Sequence, residues 1–211
     1  MDVNLYPISI AMDYNLPLLD PSLFPNINNR LLLEKLNYDT EKLKINHDRM
    51  ITNLNLEQST IYNEVLTSVN NNDERLFFVY GHGGTEKTYL YETILSRLRS
   101  EWLIILVVAS SGICSLLLSG GRIVHSRFKI SIEIDKNSTC DIKKGTQLAA
   151  LKRETFLIIW DETPMNHRHC FEAVDRTLRD ILENNSIEND KFFGEKLYYL
   201  VEILDKYCRW L

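Results

Sequence analysis

Apolar and polar positions divide the chain into runs of two kinds. Three stretches stay apolar without alternating: Leu76-Phe77-Phe78-Val79-Tyr80, Leu103-Ile104-Ile105-Leu106-Val107-Val108 and Phe156-Leu157-Ile158-Ile159-Trp160. Unbroken runs of this length are expected of parallel strands covered on both faces. Elsewhere apolar residues return at three-to-four spacing: Ile61, Val65, Leu66 and Val69; Leu90, Ile94, Leu95 and Leu98; Phe171, Val174, Leu178 and Ile181. That spacing puts an apolar stripe along one side of a helix. Strands alternating with helices predict an α/β fold with a mainly parallel central sheet and helices on both faces.

The pattern is weaker at the N-terminus. Pro7, Pro17, Pro21 and Pro25 fall among Asn, Asp and Ser turn formers, which predicts an extended arm. From about 29 to 53 the chain reads as polar and helical, with Leu31, Leu32, Leu33, Leu36 and Leu43 as candidate contacts. We therefore divide the chain into an arm over 1–52 and a domain over 53–211. Within the domain, 135–145 reads as an exposed loop and 147–153 as a short helix.

Composition narrows the class. With 45% hydrophobic and 25% charged residues, the 211-residue chain can bury a sizeable core. A net charge of −5 provides no overall basic field for nucleic acid, so any such contact must come from a local patch. Cys114, Cys140, Cys170 and Cys208 form no C-x-x-C pair, as suits reduced thiols. No basic-then-apolar leader and no run of eighteen apolar residues is present, so the chain reads as soluble, not secreted and without a membrane span.

The chemistry concentrates after the first apolar run. Gly81-His82-Gly83-Gly84-Thr85-Glu86-Lys87-Thr88 sits between a strand and a helix, where bare backbone N–H groups can wrap a polyphosphate. Lys87 would reach the outer phosphates and the Thr88 hydroxyl would take Mg²⁺. Glu86 occupies the second obligatory glycine of the pattern G-x-x-x-x-G-K-[ST]. At ~4 Å from a phosphate charge, its carboxylate costs on the order of 4 kcal/mol at an effective dielectric of 20. The third apolar run ends in Asp161-Glu162, at the carboxyl edge of a strand neighbouring the phosphate loop. Asp161 can hold the Mg²⁺ shell while Glu162 polarises an attacking water.

Other candidates carry two readings each. Gln58, three residues after Asn55, is either the partner in a capping box or a reader of an adenine edge. Ala109-Ser110-Ser111-Gly112 is an ordinary strand-to-helix turn or part of a ligand site at a strand's carboxyl end. The stretch 120–129 offers Arg122, Arg127 and Lys129 to phosphates with His125 and Ser126 beside them, or is a solvated surface turn. His167-Arg168-His169-Cys170 crowds a helix start without a second ligand pair at zinc-like spacing and reads as non-metal.

Taken together, LNLEQSTIYNEVL, FFVYGHGGTEKTYL, ASSGICSLLLSGGRIVHSRFKI and LIIWDETPMNHRHCFEAVDRTLRDIL closely resemble the PIF-type ATP-dependent DNA helicases, including those of Helitron transposons. The resemblance runs from about 12 to 196. It implies an incomplete RecA-like P-loop NTPase fold, the first motor domain of a superfamily-one enzyme that moves 5′ to 3′ on single-stranded DNA and serves repair, recombination and telomere maintenance. It implies that Gln58 reads adenine and that Gly81, Gly83, Gly84, Thr85, Glu86, Lys87 and Thr88 bind the phosphates of ATP. Asp161 with Thr88 would hold Mg²⁺, and Lys87, Asp161 and Glu162 would be catalytic. Ser110, Ser111, Gly112, His125, Ser126 and Arg127 would line the DNA side, and a nuclear location would follow.

The chain departs from that family at Glu86 for glycine, His82 for proline, and Ile123-Val124 for Thr-Ala. The family's next motif, Gly-Gly-Asp-Phe-Arg-Gln, is expected just after Gly194 and is missing, as is the second motor domain with its arginine fingers. Codons compatible with 194–211, with one G restored in the second, translate as GGKIILFGGDFRQILPVV. The tail over 197–211 therefore reads as out of frame, and the chain as a truncated motor without unwinding activity. A non-catalytic nucleotide- or DNA-binding fragment and a DNA-independent NTPase are the alternatives.

Overall fold

The computed structural model describes residues 29–71, 76–80, 86–182 and 198–203. The proline-rich segment 1–28, the glycines of the phosphate loop and most of the tail lie outside the described residues. Five strands form one parallel sheet in the order β1-β5-β4-β2-β3: β1 (Leu76–Tyr80), β2 (Ile104–Ala109), β3 (Arg122–Ile123), β4 (Thr155–Asp161) and β5 (Tyr198–Ile203). The continuous apolar runs become β1, β2 and β4; β2 is buried at every position and β4 at all but Phe156, whereas Phe78 leaves β1 exposed on one face.

Alternate residues of the strands feed two cores. Ile105 and Val107 of β2 and Leu157 and Ile159 of β4 pack under α3 (Leu56–Asn71) and α4 (Lys87–Ser100). Leu106, Val108, Ile158 and Trp160 face the other way, onto α6 (Val124–Phe128), α7 (Gln147–Glu154) and α8 (Arg168–Leu182). Trp160 is fully buried, 6.3 Å from the Phe128 ring and 5.5 Å from that of Phe171. Packing of this kind fixes the strand just ahead of Asp161. The short α5 (Gly112–Leu117) leaves β2.

The stretch before the domain forms α1 (Arg30–Leu36) and α2 (Thr40–Ile51), each begun by a side-chain cap. Asn29 accepts from Leu31 N at 3.0 Å and Asp39 from Lys42 N at 3.0 Å, satisfying donors that a helix start leaves open. Both helices pack on the body. Leu36 joins the core beneath α7, and α2 lies along α4, with Asn46 Nδ2 donating to Ser96 Oγ at 3.1 Å and Tyr89 Oη donating to the Met50 carbonyl at 3.0 Å. His47 Nε2 and Tyr62 Oη are 2.7 Å apart.

The strand order corrects one expectation. β1 and β4 are not neighbours, because β5 pairs with both, Phe78 opposite Val201 and Ile159 opposite Leu200. All strands run the same way, so the ends of β1 and β4 still share an edge, two strand spacings or about 10 Å apart. Sequence adjacency says nothing about this insertion, because parallel partners are chosen through crossovers.

Candidate functional site

The expected phosphate side of the site is the start of α4. Lys87 and Thr88 are the first two residues of that helix, both half-buried, and Glu86 precedes them, exposed. Glu86 has φ 53° and ψ 36°, a left-handed conformation, and its side chain makes no capping hydrogen bond. A residue with a Cβ pays roughly 1–2 kcal/mol for that conformation, whereas glycine adopts it freely. The turn keeps the shape of the expected glycine while carrying a carboxylate. Its carbonyl accepts from Tyr89 N at 2.9 Å, from Leu90 N at 3.3 Å and from Gln58 Nε2 at 3.4 Å. Gly81, Gly83, Gly84 and Thr85 lie outside the described residues.

Gln58 takes the capping reading, and its amide also reaches the turn at Glu86. Asn55 N donates to Gln58 Oε1 at 3.1 Å and Gln58 N donates to Asn55 Oδ1 at 2.8 Å, a reciprocal capping box at the start of α3. Its amide nitrogen then points to the phosphate-loop turn. Gln58 is buried.

The acid side is the end of β4. Asp161 is buried, and its Oδ1 accepts from Glu162 N at 3.2 Å. Glu162 is half-buried and left-handed as well, with φ 51° and ψ 37°, and it leads into a 3₁₀ turn over Thr163–Met165. Strained non-glycine backbone persists where its surroundings over-determine it. Here they do: Ser110 Oγ donates to the Glu162 carbonyl at 2.5 Å, Ser111 Oγ donates to Glu162 Oε2 at 3.3 Å, and Asn166 Nδ2 donates to Ser110 Oγ. Nothing in the sequence singled out Asn166. Burial and a hydrogen bond to Glu162 push the Cys114 thiol up.

Carboxylate and hydroxyl oxygens are the hard donors that Mg²⁺ takes, and Mg²⁺ uses few protein ligands beside substrate phosphates. Asp161 and Thr88 fit that requirement. Among the described residues no group of three His, Cys, Asp or Glu could hold a metal by itself.

The expected DNA side divides. Ser110 and Ser111 are half-buried and Gly112 is exposed at the turn after β2, while Ser126 is exposed on α6. His125 is half-buried, its Nε2 3.7 Å from Cys170 Sγ. Arg127 does not belong with them, for it is 4% exposed and cannot reach a DNA backbone. The stretch is a helix, and the i, i+3, i+4 positions Val124, Arg127 and Phe128 turn inward together. Arg122 is ion-paired with Glu34 at 2.9 Å.

Arg127 instead joins a buried group of cations with Lys35, Arg99 and Lys152. Arg99 lies over the Tyr38 ring and Lys152 Nζ is 3.6 Å from the centroid of Phe128. Lys35 Nζ is 3.5 Å from the Gly120 carbonyl, and a Cβ at Gly120 would meet Arg99 Nη2 at 3.3 Å and Tyr38 Oη at 3.1 Å. Arg99 Nε and Nη2, Arg127 Nε and Nη2, and Lys152 Nζ are buried without hydrogen-bond partners among the described residues. Burial, with Arg127 and Arg99 nearby, pushes the Lys35 amine down to about 8, and burial with Arg122 nearby lowers Arg127 to about 10.

The family described as PIF1-like helicase matches residues 53–200. An ATP-dependent DNA helicase PIF4 of Trypanosoma brucei brucei is 28% identical over 106 residues, which are 48% of this chain and 13% of that protein. Pif1 of Bacteroides, solved bound to ssDNA, aligns with TM-score 0.57 and 24% identity over 72% of this chain and 32% of its own. Pif1 helicase from Candida albicans aligns with TM-score 0.56 and 25% identity over 71% and 32%. This chain thus spans about a third of the solved relatives and less of the curated one. No described helix is long and apolar enough to cross a membrane.

Proposed function

Because the chain belongs to the PIF1-like helicase family, we propose that it provides the first motor domain of an ATP-dependent DNA helicase that tracks 5′ to 3′ on single-stranded DNA, a nuclear role in repair, recombination and telomere maintenance. The observation that carries the reading is the shared edge: Lys87 and Thr88 open the helix after β1, Asp161 closes β4 and Glu162 follows it.

On this reading the amides of 81–85 and the Lys87 ammonium bind the outer phosphates of ATP, and Gln58 faces the adenine. Thr88 and Asp161 would hold Mg²⁺, which would supply positive charge against the phosphates. Glu162 orients the attacking water and accepts its proton. Ser110, Ser111, Gly112, His125 and Ser126 face the DNA. Glu86 favours a second reading, in which the chain binds nucleotide or single-stranded DNA weakly and turns nothing over.

Titration of the full chain with ATP and Mg²⁺, with and without oligothymidine, separates the readings. The motor reading expects Mg²⁺-dependent binding that Lys87→Ala abolishes and hydrolysis that oligothymidine stimulates. Hydrolysis indifferent to oligothymidine would instead favour a DNA-independent NTPase. Binding without turnover favours the weak binder.

A further inference from the structure

The side chain assigned to water activation is bonded from the opposite functional side. Ser111, on the DNA-side turn after β2, donates its hydroxyl proton to Glu162 Oε2 at 3.3 Å while its oxygen accepts from Cys114 N at 3.2 Å. A serine hydroxyl has one proton to donate. If a DNA phosphate oxygen takes that proton, the Glu162 carboxylate loses it. The two claims on Ser111 exclude one another.

The neighbouring serine is arranged differently. Ser110 donates to the Glu162 backbone carbonyl at 2.5 Å, its amide donates to the Asp161 carbonyl at 3.3 Å, and its oxygen receives the Asn166 amide. These bonds hold backbone and leave the carboxylate out. The turn therefore has a fixed part, Ser110 with Asn166, that keeps Glu162 in its left-handed conformation, and an exchangeable part, Ser111, that touches only its side chain.

We propose that Ser111 is a positioning residue that helps hold the Glu162 carboxylate away from water until single-stranded DNA takes over its hydroxyl, so that DNA binding and hydrolysis are coupled through the Ser111–Glu162 hydrogen bond. The step is an exchange of acceptors: the Ser111 O–H keeps its proton and redirects it from a carboxylate to a phosphodiester oxygen. Like charge between the arriving phosphate and Glu162 acts in the same direction. The inference rests on the assignment of these turns to DNA and to water activation in the proposed function.

Linkage gives a test that needs no turnover, because a competitor for Ser111 must weaken DNA binding by as much as DNA weakens its hold on the competitor. Fluorescence anisotropy of labelled oligothymidine of about 20 nucleotides is measured on the full chain, without nucleotide, for the parent, Ser111→Ala, Glu162→Ala and the double variant. Glu162→Ala should tighten binding roughly tenfold in the Ser111 chain, the worth of one hydrogen bond to a charged group. In the Ser111→Ala chain only relief of the like charge remains, so the tightening should be several-fold smaller, non-additivity being the mark of direct coupling. Ser111→Thr, which keeps hydroxyl and cap, should behave as the parent and guards against a folding defect in the alanine variant. Equal effects of Glu162→Ala in both backgrounds would overturn the coupling while leaving the DNA assignment intact. No oligothymidine binding in any variant would overturn the DNA assignment and the coupling with it.

Discussion

Glu86 and Glu162 sit at the same edge of the sheet in nearly the same backbone conformation, φ 53° and 51°, and the molecule treats them differently. Around Glu162, two serine hydroxyls, one of them bonded by Asn166, hold the carbonyl and the carboxylate. Around Glu86, the carbonyl is used in the helix start and the side chain caps nothing. A left-handed glutamate is costly in either place. At Glu162 the surrounding bonds offset the cost and deliver a carboxylate to a defined position; at Glu86 only the carbonyl is bonded among the described residues, and on the proposed reading the carboxylate stands where a phosphate would come. Strain at a functional edge is thus evidence of function only when neighbours support it.

The sharpest way to test that contrast is Glu86→Gly. Removing the charge should tighten binding of ATP with Mg²⁺ by roughly a thousandfold, the equivalent of the ~4 kcal/mol of repulsion at 4 Å. Isothermal titration of parent and variant measures this. Relief of the left-handed Cβ should also raise Tm by about 2–4 °C per kcal/mol for a chain of this size. Glu162→Gly relieves the same strain and loses the Ser111 bond, so its Tm should rise less. An equal rise in both would show that the hydrogen bonds at Glu162 contribute nothing.

Buried cations extend the contrast to charges that make no ion pair with a carboxylate among the described residues. Lys35 has its amine lowered from 10.5 to about 8, mainly by burial, with Arg127, Arg99 and Arg122 adding repulsion and Glu34 opposing it. Between those values the unfolded chain binds a proton that the folded chain has released, so stability must rise with pH across this window. Below pH 8 the full deficit, about 3 kcal/mol at 1.36 kcal/mol per unit, is present. Urea denaturation at pH 7 and pH 10 should show Lys35→Met more stable than the parent at pH 7 and the difference shrinking at pH 10. A constant difference would place the cost in packing rather than in charge.

Much of the fold was legible because burial on both faces writes itself into a strand as an unbroken apolar run, as at β2 and β4. Strand order was not, since nothing local in Tyr198–Ile203 says that it pairs between β1 and β4. That segment belongs to the tail we read as out of frame; sequencing the gene across Gly194 tests the reading, and codons that cannot be re-phased would end it. The place of Asp161 and Glu162 at the end of β4 was legible from the apolar run ahead of them. Arg127 was misread because charge is the surface signal, even though Val124, Arg127 and Phe128 have inward helical spacing. Asn166 was silent because its partner, Ser110, lies 56 residues away and one hydrogen bond leaves no periodicity.

The smallest effect bears on Gln58, which props the Glu86 turn from the other side. Its Oε1 serves the capping box and its Nε2 lies 3.4 Å from the Glu86 carbonyl, so the two atoms answer to different roles. Gln58→Glu separates them, because glutamate fills the box as well as glutamine but has no amide to donate. A purely helical role predicts unchanged Tm and unchanged nucleotide binding in this variant, while Asn55→Ala, which removes the cap, costs about 1 kcal/mol. A role at the adenine predicts unchanged Tm with loss of preference for ATP over GTP, measured by competition in the Glu86→Gly background where binding is tight. A fall in Tm with preference intact would assign the Nε2 contact to supporting the left-handed turn, and Glu86 would then have one outside support where Glu162 has several.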